Sequence, residues 1–120
     1  MKSLEEMQQE VLKLCKDKGW YDVPVSFGEL IALLHSEVSE ALQAYRNHGL
    51  ADATPGHQHT GPCRCIKTPV KPEGVGSEYA DILIRLLDDA ERHGIDMQAE
   101  YERKMAYNRT RPYRHGKKHY

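Results

Sequence analysis

Residues 26–47 read SFGELIALLHSEVSEALQAYRN, and this stretch decides the fold. Ser26 and Glu29 stand at the spacing of a capping box, in which each side chain accepts a hydrogen bond from the other residue's backbone N–H. Gly49 follows as a residue that readily ends a helix. We therefore predict a helix over 27–47. Its apolar residues extend beyond a single stripe, which predicts burial on more than one side.

The same start and stop signals predict three further helices. Ser3 with Glu6 has the spacing of another capping box, and Ser77 and Asp96 are suitable N-cap residues. No stretch of useful length shows the apolar–polar alternation that is typical of a strand. The predicted fold class is all-α, a bundle-like arrangement of four helices over about 3–18, 27–47, 77–93 and 96–108.

The length of the chain predicts one small domain with a long insertion. A chain of 120 residues suffices for one core, so we expect a single domain over 1–120. Residues 48–76 hold four of the six prolines and five of the nine glycines, which predicts a loop between the second and third helices. A loop of this length is typical of a functional lid or of a disordered segment, and the sequence leaves both open.

This insertion contains four residues of the types that bind zinc. Structural zinc sites usually place paired cysteines as C-x2-C, with a longer separation between the two pairs. The spacing here is more compact, which favours a flexible lid or an oligomer contact over a zinc knuckle. The four residues are His57, His59, Cys63 and Cys65.

Cysteine content and apolar patterning indicate the compartment. Three cysteines do not make a disulfide framework, and Cys15 falls in a helical pattern where we expect it to be buried. The N-terminus is acidic and amphipathic, and no apolar run is long enough to span a bilayer. We therefore expect a cytoplasmic protein with no membrane partner. After Glu102 every charged residue is basic, which predicts an anionic partner at that end or a solvated tail.

Two pairs of acidic residues point to the chemistry. Glu37 and Glu40 stand three apart in the second predicted helix, and Glu78 and Asp81 stand three apart in the third. Each pair therefore lies on one helix face. Four carboxylates brought together repel one another unless a cation neutralises them, and oxygen ligands suit Mg2+. The pattern predicts a Mg2+ centre, with Mn2+ as an alternative ion, and hence phosphate chemistry.

The fourth predicted helix adds groups that suit a nucleotide. Lys104 and Asn108 stand four apart and share a face, and Arg111 follows closely. Cationic and amide donors of this kind neutralise and hydrogen-bond phosphate oxygens beside a metal ion. The C-terminal part of the chain therefore predicts substrate-binding residues.

Together these motifs resemble those of the MazG-like nucleoside triphosphate pyrophosphohydrolases, in the all-α NTP pyrophosphatase superfamily. The signature of that family, E-x-x-E and E-x-x-D on adjacent helices, stands here as HSEVSEALQAYR and SEYADILIRLLDDA. The stretch KMAYNRTRPYRHGKKHY is similar to the end of the family's domain, where a lysine and an asparagine follow the acidic helices. The resemblance covers about 3–47 and 77–118 and leaves the insertion unmatched.

The resemblance implies an activity and a role for each motif. Members of the family hydrolyse nucleoside triphosphates to monophosphate and pyrophosphate with Mg2+, and they clean or regulate nucleotide pools. They are typically dimers or tetramers, which implies a homodimer or homotetramer here. The implied metal ligands are Glu37, Glu40, Glu78 and Asp81, with either Glu37 or Glu40 as the general base. The predicted substrate-binding residues are Lys104, Asn108, Arg85, Arg111 and Trp20.

Two features depart from the family pattern and leave the substrate open. The 37 residues between Glu40 and Glu78 form a longer gap than is usual, and Arg85 stands where some relatives have an aromatic residue that touches the nucleotide. The alternative function is a non-catalytic helical protein that binds nucleic acid or another partner through its basic C-terminal segment. The acidic pairs and the net charge of -1 disfavour nucleic acid.

Overall fold

The computed structural model describes residues 1–55 and 70–114. These residues form α-helices and no strand, which confirms the all-α prediction. The predicted helix bounds agree with the observed ones to within two residues. No helix in the described part of the chain has the length and apolar content that crossing a bilayer requires. The helices are α1, Leu4–Asp17; α2, Phe27–His48; α3, Val75–Arg92; and α4, Met97–Thr110.

Three of the predicted helix starts are confirmed by their hydrogen bonds. Ser26 and Glu29 form the complete capping box, with N···O distances of 3.1 and 3.2 Å. The Ser3 and Asp96 side chains each accept a hydrogen bond from the backbone N–H three residues later. These bonds satisfy N–H groups that the first turn of a helix leaves without an intrahelical partner.

The predicted N-cap of α3 is wrong, because this helix begins two residues before Ser77. Its first residue is Val75, and the backbone N–H of Glu78 donates to the carbonyl oxygen of Gly74 at 3.0 Å. Ser77 therefore lies inside the first turn. Its hydroxyl donates to the carbonyl oxygen of Pro72 at 3.1 Å, so it ties the helix to the segment that precedes it.

The chain divides into two compact units, and the division falls within α3. Unit 1 consists of Met1–Asp22 and Leu87–Tyr120, and unit 2 consists of Val23–Leu86. The single domain over 1–120 and the bundle-like arrangement of the helices stay predictions.

Unit 1 is built around a small apolar core between α1 and the end of α3. Val11, Cys15 and Leu87 are buried together, and the predicted burial of Cys15 is confirmed. Gln8 is buried beside them and satisfies its amide by donating to Glu91 and to the carbonyl oxygen of Ile95, both at 2.8 Å. Because a buried amide without partners would be costly, these bonds hold α1 on the turn after α3.

A second polar group in unit 1 fixes the turn after α1. The Tyr21 hydroxyl donates to Asp88 at 2.8 Å, and Arg92 donates to the same carboxylate at 3.0 Å. The Arg92 guanidinium also lies 4.1 Å from the centroid of the Tyr21 ring. Burial and the hydrogen bond to Asp88 raise the pKa of Tyr21 well above its ordinary value, so this hydroxyl stays protonated.

In unit 2 the apolar helices are less buried than their sequence predicts. Leu30 and Ala41 are the buried residues of α2, so the prediction that this helix is buried on more than one side is wrong for a single chain. The end of α3, in unit 1, differs, because Leu87, Asp88, Asp89 and Ala90 are buried in succession. In unit 2, large apolar side chains at helical spacing are exposed instead. They form an α2 stripe of Phe27, Ile31, Val38, Leu42 and Tyr45, and an α3 stripe of Tyr79, Leu83 and Leu86.

Candidate metal centre

Three of the four predicted metal ligands come together in unit 2. One carboxylate oxygen from each of Glu37, Glu78 and Asp81 lies within 4.8 Å of the other two. Glu37 is on α2, whereas Glu78 and Asp81 are on the first two turns of α3. Glu37 and Glu78 are half-buried and Asp81 is exposed, so the group has one side open to solvent. We call these three residues and Glu40 the carboxylate cluster.

Glu40, the fourth predicted ligand, lies beside the other three. Hydrogen bonding with Glu37 and the negative charge of Glu37 raise the pKa of Glu40. Burial and the charges of Glu78 and Asp81 act in the same direction. This is the expected behaviour of a carboxylate surrounded by like charges. The cluster therefore carries an electrostatic cost that a cation would relieve.

Arg85 provides part of that relief from within the chain. Its Nε and one terminal nitrogen both donate to Oε1 of Glu37, at 3.1 and 3.0 Å. The two side chains retain only 22% and 14% of their exposure, so solvent screens this pair less than a surface pair. The sequence analysis missed this contact. Arg85 stands four residues after Asp81 and therefore lies on the same face of α3. This spacing was the signal in the sequence that places Arg85 near the carboxylate cluster.

Glu78 shows the clearest sign that the cluster is incomplete. Its Oε2 is buried and has no hydrogen-bond partner among the residues that the structure describes. A buried carboxylate oxygen without a donor costs free energy unless a cation or a donor satisfies it. When ionised, the other carboxylates of the cluster offer acceptors only. The cluster is thus short of positive charge and of donors.

The geometry and the donor set fit a hard divalent cation. Mg2+ binds oxygen ligands at about 2.0–2.1 Å, so opposite ligands of one ion stand about 4.2 Å apart. The observed spread of 4.8 Å exceeds that value slightly, and rotations of carboxylate side chains close such a gap. Soft-metal ligands are absent from this group, because all of its members are carboxylates.

The predicted substrate-binding residues lie in different parts of the chain. Arg85 is in unit 2 and is bonded to Glu37. The other four belong to unit 1, and their predicted contacts with a substrate stay predictions. Lys104 and Asn108 are exposed on α4, Arg111 is half-buried directly after it, and Trp20 is 58% exposed in the turn after α1. The four potential zinc ligands, His57, His59, Cys63 and Cys65, lie outside the described residues.

Comparison with known proteins supplies no relative for this arrangement. No protein-family model, no curated protein and no solved structure matches the chain. The resemblance of HSEVSEALQAYR and SEYADILIRLLDDA to the MazG-like signature is a likeness of motifs.

Proposed function

We propose that this protein is a Mg2+-dependent hydrolase that converts nucleoside or deoxynucleoside triphosphates to monophosphate and pyrophosphate. The observation that carries the proposal is the convergence of Glu37, Glu78 and Asp81 within 4.8 Å, with Glu40 beside them. Clustered carboxylates short of positive charge suit a cation that in turn binds polyphosphate. The motif resemblance to MazG-like enzymes supports the same reaction and a role in clearing nucleotide pools.

In this proposal Glu37, Glu78 and Asp81 hold the ion. When bound, Mg2+ neutralises phosphate oxygens and orients a water molecule for attack. Arg85 keeps the Glu37 carboxylate in place through two hydrogen bonds to the same oxygen, Oε1. Fixing a ligand through a neighbouring donor is a common way to preorganise a metal site.

Glu40 is the general base in this proposal. Glu37 is bonded to Arg85 and belongs to the converging oxygens, whereas Glu40 is exposed and outside that group of three. Glu40 accepts the proton of the attacking water, whose oxygen forms a bond to the α-phosphorus. The bond between the α-phosphorus and the bridging oxygen breaks, and its electron pair leaves on that oxygen, which departs with pyrophosphate. The products are a nucleoside monophosphate and pyrophosphate.

A homo-oligomer belongs to the same proposal. The α2 stripe and the α3 stripe expose eight large apolar side chains on unit 2 of one chain. Contiguous exposed apolar surface of this kind marks an interaction site more often than it marks open surface. A second copy of the chain would cover both stripes and would complete the burial that the sequence predicts. The proposed assembly is a homodimer or homotetramer, with helices arranged as in the MazG-like fold.

The test is pyrophosphate release from a panel of NTPs and dNTPs with Mg2+, measured for wild type, Glu40→Gln and Asp81→Asn. We expect the wild type to release pyrophosphate and Glu40→Gln to lose about 10²-fold or more of kcat, the usual contribution of a general base. Asp81→Asn should also lose turnover, because it removes a ligand of the proposed ion. Glu102→Gln is the matched control, because Glu102 is an exposed acidic residue of α4, in unit 1 and outside the carboxylate cluster. Wild-type turnover without Mg2+, or variants as active as the control, would contradict the proposal.

A further inference from the structure

A cavity of about 280 Å³ lies next to the carboxylate cluster in unit 2. Glu40 and Glu78 form the wall that it shares with the cluster. The last two turns of α2 and the segment 71–74, which leads into α3, form the rest of its lining. The polar residues in that part of the lining are Gln43, Asn47, His48, Lys71 and Glu73.

The wall contributed by the segment 71–74 is fixed by its backbone. The backbone N–H of Glu73 donates to the Thr54 hydroxyl at 3.0 Å, and the N–H of Ala53 donates to the carbonyl oxygen of Glu73 at 3.1 Å. Gly74 has a φ of +115°, and a Cβ placed there would lie 3.0 Å from the carbonyl oxygen of Ala51. The close approach therefore requires glycine, and it places Lys71 and Glu73 at the cavity.

The chemistry of the lining suits phosphate better than a nucleobase. Among the described residues, no phenylalanine, tyrosine or tryptophan lines this cavity, whereas proteins commonly bind bases by stacking them on aromatic rings. Gln43 and Asn47 offer amide groups, hydrogen-bonded to each other at 3.1 Å. Lys71 also lines the cavity, and its ammonium group can donate charge-assisted hydrogen bonds to phosphate.

We infer that this cavity is the subsite for the pyrophosphate portion of the substrate, with Lys71 as the group that neutralises it. The inference rests on the proposed function. Glu40, Glu73 and Glu78 all bring carboxylates to the same cavity, so phosphate binding there depends on the cation that the carboxylate cluster would hold. Lys71 then offsets the charge on the leaving oxygen.

The test is calorimetric titration of inorganic pyrophosphate, with saturating Mg2+, into wild type and three variants. We expect Lys71→Gln to weaken binding about tenfold or more, which is the usual effect of removing a charge-assisted hydrogen bond. Lys71→Arg keeps the charge and should stay within about threefold of wild type. Lys16→Gln, at an exposed lysine of α1, is the control and should not change binding. A melting curve for each variant establishes that it is folded.

Two outcomes would overturn the subsite: no pyrophosphate binding by wild type, or unchanged pyrophosphate binding by Lys71→Gln. Turnover measured in parallel separates this result from the fate of the proposed function. An enzyme that loses activity in Asp81→Asn but binds pyrophosphate normally in Lys71→Gln would retain the function and lose the subsite. Lys71-dependent pyrophosphate binding without any NTP turnover would retain the subsite and remove the function.

Discussion

At the scale of single residues, the Arg85–Glu37 pair is the contact on which the candidate metal centre depends. It joins residues 48 positions apart in the chain, and it sets a cation against one of four neighbouring carboxylates. Both side chains are mostly shielded from solvent. Removing the arginine would leave the Glu37 carboxylate partly buried among like charges. Leaving one member of a shielded ion pair without its partner destabilises the folded state.

We predict that Arg85→Gln destabilises the protein in Mg2+-free buffer by about 1–2 kcal/mol, between the values for exposed and fully buried pairs. Saturating Mg2+ should offset part of this loss, because an ion bound to the folded state stabilises it by mass action. Urea denaturation with EDTA and with Mg2+ measures both effects. Equal stability of wild type and variant in EDTA would show that the pair does not hold Glu37.

Glu40 gives a prediction with a defined pH dependence. The pKa of Glu40 is raised above its ordinary value of 4.5 in the folded protein, chiefly by Glu37. Ionised Glu40 therefore destabilises the folded state, and this cost appears as pH rises through the ordinary and then the raised pKa. Glu40→Gln should raise the melting temperature of metal-free protein at pH 7, and the gain should vanish near pH 4.

The same variant is expected to be inactive, so higher stability with lost turnover would separate a chemical role from a folding defect. Glu102→Gln, measured in the same buffers, should not raise the melting temperature at pH 7 relative to pH 4. A lower melting temperature for Glu40→Gln at pH 7 would contradict the account of the cluster.

The carboxylates were predictable from sequence at this scale, whereas their surroundings were not. The i, i+3 spacing puts Glu37 with Glu40, and Glu78 with Asp81, on one face whatever the tertiary structure. Arg85 bonds to Glu37 because α2 and α3 bring these two side chains together. The spacing of residues within one helix does not encode the distance between two helices. Lys71 was missed for a similar reason, since it lies in a loop segment whose position depends on backbone contacts with Ala53 and Thr54.

At the scale of elements, the helices were predictable because their ends carry local chemistry. Ser3, Ser26 and Asp96 cap the first turns, and Gly19, Gly49 and Gly94 adopt positive φ just beyond the helices that precede them. The start of α3 was not predictable in this way. A glycine with a φ of +115° and a close backbone neighbour precedes it, and that neighbour lies 23 residues earlier in the chain, at Ala51.

Gly74 and Gly76 form a matched pair that tests this reading of the α3 start. We predict that Gly74→Ala destabilises the protein by about 1–3 kcal/mol, because alanine at positive φ is strained and its Cβ would meet a backbone oxygen. A Cβ at Gly76 meets nothing within 4 Å, so Gly76→Ala should be neutral or stabilising by up to about 1 kcal/mol. Chemical denaturation measures the free energy of unfolding of both variants, and equal changes in the two would contradict the prediction.

At the scale of the whole molecule, the stripes of α2 and α3 are large apolar side chains that a single chain leaves exposed to water in the part the structure describes. The apolar content of these helices was predictable, but the sequence does not distinguish burial within a chain from burial between copies. The stripes also explain why unit 2 has few buried residues despite its apolar helices. An oligomer would remove the apolar surface from water and stabilise the assembly in proportion to the area buried.

We predict that the protein sediments as a dimer or larger species and that Val38→Glu shifts it toward monomer, because a charge in a buried apolar contact is costly. Val23→Glu is the control, since Val23 is 66% exposed and lies in the turn before α2, outside both stripes. Sedimentation velocity measures the species. A monomeric wild type, or the same dissociation in both variants, would contradict an interface on the α2 stripe.

The most direct measurement of the central claim is ³¹P NMR of a panel of dNTPs and NTPs, each incubated with the protein and Mg2+. If the carboxylate cluster hydrolyses the α–β bridge, monophosphate and pyrophosphate accumulate in equal amounts with no diphosphate or inorganic phosphate. EDTA and the Asp81→Asn substitution should each abolish both product signals. Formation of diphosphate and phosphate, or unchanged nucleotide across the whole dNTP and NTP panel, would contradict the proposed activity.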